Sequence, residues 1–117
     1  MKQNNVIQEK LFAFAVRAVK VYKYLSEEKK EFIISKQFLR SATSTGANIE
    51  EAIGGQSKAD FIARLSISYK EAGETKYWIR LLQETDFFTD KEANSLLNDI
   101  EEILRIIAKI KISMSKT

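Results

Sequence analysis

The sequence has 117 residues and a net charge of +3, and it contains no cysteine, no histidine and no proline. Those absences exclude disulfides, thiolate nucleophiles, imidazole acid–base chemistry and the usual zinc sites. The length suits one domain with a core that needs no covalent staple. Four glycines leave little of the punctuation that strands and tight turns demand, so the pattern predicts an all-α protein. No signal-peptide core opens the chain and no apolar run nears the roughly 18 residues of a membrane span. The expectation is a cytoplasmic protein with no membrane partner, and the modest positive charge permits a polyanion without requiring one.

The first predicted helix covers about residues 5–25, with Leu11, Ala15, Ala18, Tyr22 and Leu25 spaced as a bundle seam. Phe12, Phe14, Val16, Val19 and Val21 lie partly off it, so the helix is apolar over more than one neighbour would cover. Its polar side is almost purely basic, with Lys10, Arg17, Lys20 and Lys23 against Glu9. The link Ser26–Glu31 (SEEKKE) reads as charged with no core residue, and Phe32-Ile33-Ile34 as a return to the core before Ser35, a candidate N-cap.

The second helix is expected over 35–53, ended by Gly54-Gly55 through a left-handed glycine. Besides the apolar residues Phe38, Ala42, Thr45, Ile49 and Ala52, it carries a polar stripe of Ser41, Ser44, Asn48 and Glu51. The third helix, 57–84, opens on Ser57-Lys58-Ala59-Asp60, which resembles a capping box with Asp at N3. Its seam Phe61, Leu65, Ser68, Ala72, Thr75, Ile79 and Leu82 is small in the middle, where a neighbour can approach closely. Ile67, Trp78 and Leu81 fall in another sector, as residues of a subunit interface do. After Asp86-Phe87-Phe88, the T-x-x-E capping box Thr89–Glu92 starts the fourth helix, 90–114. Ala93, Leu96, Leu97, Ile100, Ile103, Leu104, Ile107, Ile110 and Met114 keep its bundle spacing, and every charge after Glu102 is positive: Arg105, Lys109, Lys111 and Lys116. The fold expected is an antiparallel up-down-up-down left-handed four-helix bundle, basic where the start of the first helix meets the end of the fourth.

The polar stripe has two readings. Its hydroxyls can bond back to carbonyls one turn earlier, or Asn48 and Glu51 can reach another helix or subunit, with Arg40 or Arg64 neutralising the carboxylate. A serine nucleophile lacks a histidine base here. On either reading the stripe sets how this helix meets its neighbours, so Asn48→Ala or Glu51→Ala is expected to damage folding or assembly. Glu71 with Glu74, and Asp99 with Glu102, are carboxylate pairs at helical spacing that a magnesium- or manganese-dependent nucleotide hydrolase could use, although lysines such as Lys70 and Lys76 stand near. Tyr69, Tyr77, Trp78, Phe87 and Phe88 could stack on bases, but core and interface packing is the stronger reading.

The stretch LRSATSTGANIEEA, followed by GGQSKADFIARLSISYKEAGETKYWIRLL, resembles the small bacterial four-helix-bundle proteins encoded within intervening sequences of 23S rRNA genes. The resemblance runs from Phe12 to about Ile107 and matches at Ser41, Ser44, Asn48, Glu51, Ser57, Phe61, Leu65, Glu71, Glu74 and Trp78. Thr45 stands where many relatives carry isoleucine, and Glu50-Glu51-Ala52 where many read Ala-Glu-Gly. The resemblance implies an up-down-up-down bundle, a ring that is commonly a homopentamer and no established enzymatic activity; no cofactor is expected. A similar bundle is the accessory subunit of diversity-generating retroelements, a basic pentameric barrel that binds nucleic acid and a reverse transcriptase. The function expected is a non-enzymatic oligomer engaging RNA or a ribonucleoprotein through Arg17, Lys20, Lys23, Arg105, Lys109 and Lys111. The alternatives are the carboxylate–metal enzyme and a purely protein-binding scaffold.

Overall fold

In the computed structural model, which describes residues 2–116 and the side chains of 6–116, four helices follow one another: α1 Lys2–Glu27, α2 Ile34–Ile53, α3 Lys58–Glu84 and α4 Asp90–Ser115. Each packs on the next, and α1 closes the bundle against α4. Every neighbouring pair is antiparallel, as the cross-helix bonds show. Gln8 meets Glu50, Arg40 meets Glu71 while Arg64 meets Glu51, Gln83 meets Asp90 while Lys76 meets Glu101, and Lys10 meets Glu102 while Arg17 meets Asp99. The bundle measures 47 × 21 × 19 Å.

The core follows the predicted seams closely on α2, α3 and α4. Phe38, Ala42, Thr45, Ile49 and Ala52 are buried on α2, Leu65, Ser68, Ala72, Thr75, Ile79 and Leu82 on α3, and Ala93, Leu96, Ile100, Ile103, Ile107 and Ile110 on α4. Phe61, Leu97, Leu104 and Met114 pack partly buried at its edges. On α1 the buried line is Ile7, Leu11, Phe14, Ala18 and Leu25, so Phe14 takes a core place while Ala15 and Tyr22 are only half-buried.

The ends of the helices depart most from the sequence reading. Ser35 is not the N-cap of α2; that position is Ile33, with no side-chain cap. The capping group is Glu31, whose carboxylate accepts from the backbone N–H of Ser35 at 2.6 Å, Ile34 at 3.0 Å and Ile33 at 3.1 Å. These donors have no intrahelical partner, and a carboxylate suits the positive end of the helix dipole. Ser35 instead donates its hydroxyl to the Glu31 carbonyl at 2.7 Å. The SEEKKE link thus does contain a buried residue, whereas Phe32 and Ile33 stay 50% and 78% exposed and only Ile34 packs on the core.

No described glycine has positive φ, so the left-handed glycine expected after α2 is absent. Gly54 keeps helical angles, φ −81° and ψ −2°. A Cβ on Gly55 would lie 3.2 Å from the Ala52 carbonyl oxygen, so close backbone approach is what favours glycine there. The positive φ values belong to Lys30 and Asp86. Asp86 is the left-handed residue of a Schellman ending, with Asp86 N–H on the Gln83 carbonyl and Phe87 N–H on that of Leu82. Ser57 and Thr89 cap α3 and α4 as expected, and Thr89 with Glu92 forms the complete capping box.

Candidate nucleic-acid interface

The polar stripe of α2 lies against α3. Ser41 donates to the Phe38 carbonyl and Thr45 to that of Ser41, while Ser68 of α3 donates to the Thr45 carbonyl at 2.7 Å. Thr75 Oγ1 lies 2.8 Å from Ser41 Oγ and 2.9 Å from the Glu71 carbonyl. Every one of these hydroxyls is buried, and among the described residues no buried side-chain polar atom lacks a partner. Asn48 stays within its helix, donating to the Ser44 carbonyl and hydroxyl, whereas Glu51 reaches Arg64 of α3 at 2.7 Å. Both readings of the stripe hold in part, and the helix it meets belongs to the same chain.

The carboxylate pairs are already engaged by cations. Arg40 bridges Glu71 at 3.0 Å and Glu74 at 2.7 Å, and the Trp78 indole N–H donates to the same Glu74 oxygen. The Arg40 hydrogen bond, helped by that of Trp78, outweighs burial and holds the Glu74 carboxyl below the usual range. Arg17 binds Asp99 and Ser95, and Lys10 binds Glu102. Among the described residues no group of three or more Asp, Glu, His or Cys could hold a metal. The geometry builds ion-paired seams from these carboxylates.

The six basic residues singled out do not form one patch. The α1–α4 pairing sets Lys20 and Lys23 beside the first turns of α4, whereas Arg105, Lys109 and Lys111 lie toward its other end. The centres of the two groups lie about fifteen residues apart along α4, roughly 20 Å at 1.5 Å per residue. Arg17 sits between the two groups, neutralised by Asp99. Lys20 shares a surface hollow with Arg17, Tyr24 and Glu92. Arg105 and Lys109 line a shallow cavity with Glu102, Ile106, Ala108 and Ile112, and Lys111 and Lys116 line another. None of Lys20, Lys23, Arg105, Lys109, Lys111 or Lys116 has an ion-pair partner among the described residues.

Of the apolar residues assigned to a subunit interface, Ile67 is 39% exposed, while Trp78 and Leu81 are half-buried and Tyr77 packs edge-on to Trp78. A larger apolar surface lies on α1, where Phe12 is 72% exposed beside Val16 and Val19. Their place off the seam was legible, but which of them neighbouring helices would cover was not, since Phe14 from the same set is buried.

The fold and these surfaces define an all-α four-helix bundle with no membrane-spanning helix among its described residues, a polar α2–α3 seam and a cationic end on α4. The chain belongs to the 23S rRNA-intervening sequence protein family, whose profile matches residues 3–109. Among solved structures it is similar to a protein of unknown function from the S23 ribosomal protein family of Bacteroides thetaiotaomicron VPI-5482. The two share 50% identity over 93% of this chain and 97% of the other, with a TM-score of 0.92. No curated protein matches the sequence. Neither the family description nor the neighbour's name assigns a reaction.

Proposed function

We propose that this protein is a non-enzymatic, self-associating bundle that binds RNA, free or within a ribonucleoprotein, through the C-terminal half of α4. The observation that carries the reading is the set Arg105, Lys109, Lys111 and Lys116, cations without ion-pair partners among the described residues on a helix that has no acid after Glu102. Lys10, Arg17, Arg40, Arg64 and Lys76, by contrast, are each paired with a carboxylate. Free cations release counterions from a phosphate backbone, which gives affinity without sequence readout. The exposed Phe12, Val16 and Val19 and the half-covered Ile67, Trp78 and Leu81 support self-association. In a ring, commonly a homopentamer among the proteins it resembles, repetition of the cationic end multiplies weak contacts by avidity.

Titration of a structured RNA at rising salt tests this. Affinity is expected to fall steeply with salt, and Lys109→Glu with Lys111→Glu is expected to flatten that dependence. Binding that ignores salt contradicts the proposal. A folded protein that captures protein partners equally well after nuclease treatment, and no RNA, is instead a protein-binding scaffold.

A further inference from the structure

Tyr69 on α3 is 42% exposed and forms a wall of a groove of about 390 Å³ completed by Ala108, Lys111, Ile112, Ser115 and Lys116 of α4 and its C-cap. The groove joins one aromatic face and an apolar floor to two ammonium groups, and among the described residues no carboxylate lines it. Tyr77 has Trp78 as an edge-on partner at 5.1 Å, but Tyr69 has no ring partner among the described residues.

One turn further along α3 stands Gly73. A Cβ built there meets nothing within 4 Å, so no neighbour's close approach requires the glycine. Glycine inside a helix is less stable than alanine, and a longer residue at 73 would lean back toward the N-terminus, onto the turn that carries Tyr69. Its absence leaves the Tyr69 ring open from that side.

We propose that this groove takes a base of a single-stranded nucleic acid, stacked on Tyr69, with its flanking phosphates held by Lys111 and Lys116. The inference rests on the reading of α4 as an RNA-contacting surface and adds a strand preference to it. Every base has a face that can stack, so the site selects unpaired over paired nucleotides without selecting sequence.

The test is fluorescence anisotropy with a labelled twelve-nucleotide oligo(U) and an RNA duplex of equal length, with circular dichroism confirming that each variant folds. Tyr69→Ala is expected to weaken oligo(U) binding by about tenfold without changing its salt slope, and Tyr69→Phe to keep it. Gly73→Leu, which fills the open side, is expected to weaken it similarly, and all three variants are expected to bind the duplex as the wild type does. Tyr69→Ala and Gly73→Leu proteins that bind oligo(U) as well as wild type overturn this inference and leave the broader reading standing. A wild type that binds the duplex but not oligo(U) does the same, and one that binds neither overturns both.

Discussion

Glu31 accepts three backbone N–H bonds at the head of α2, and its burial is tolerated because those bonds replace the water it gives up. Burial alone raises its pKa, yet the backbone donors Ser35, Ile34 and Ile33 bring it below the ordinary 4.5. A carboxyl with a depressed folded pKa stabilises the fold above its unfolded pKa and loses that contribution as pH falls through the folded one. Stability is therefore expected to decline as pH falls below about 4.5, and Glu31→Gln to flatten that decline. Glu31→Ala at pH 7 is expected to cost about 1–2 kcal/mol, in line with loss of a strong N-cap, read as a lower urea midpoint. On the α2 stripe the sensitive residues are the buried ones. Thr75→Val removes the hydroxyl beside Ser41 and is expected to cost about 1 kcal/mol. Glu51, with its side chain 56% exposed, is expected to lose under about 0.5 kcal/mol on mutation to alanine. The larger loss of fold stability is therefore expected one sector deeper than Glu51.

At the scale of the helices, Gly73 is the position where α3 gives up stability. Gly73→Ala fills open space on an exposed helix and is expected to add about 1 kcal/mol, seen as a melting temperature several degrees higher. The interiors of α2, α3 and α4 were legible because apolar spacing of three and four has one physical meaning, burial of one face. The caps that failed show what spacing does not carry. Ser35 had the right chemistry for an N-cap, but Glu31, four residues earlier, could reach three donors because left-handed Lys30 redirects the chain. Gly54-Gly55 looked like a left-handed stop, while that conformation went to Asp86. On α1 the seam slipped, since apolar residues in more than one sector competed for the core and Phe14 was buried while Ala15 and Tyr22 were only half-covered. The candidate interface was half-legible for a related reason. Charge signs along α4 can be read directly, but Arg17 looked as free as Lys109 until its partner Asp99, distant in sequence, was placed beside it.

The whole molecule is a narrow rod with ion-paired flanks, a cationic end on α4 and an apolar face on α1. An exposed Phe12 beside Val16 and Val19 suits contact between copies, so sedimentation at micromolar concentration is expected to show an oligomer, and Phe12→Glu to reduce its mass. A monomeric wild type contradicts self-association. The proposed nucleic-acid binding is assigned to one end of the rod. The most direct measurement compares salt slopes of RNA affinity for two charge-reversed proteins, Lys20→Glu/Lys23→Glu and Lys109→Glu/Lys111→Glu, each confirmed folded. The α4 pair is expected to lower the slope by about 2, one for each lost phosphate contact, while the α1 pair leaves it near wild type. Equal slopes for wild type and the α4 pair would contradict the central claim.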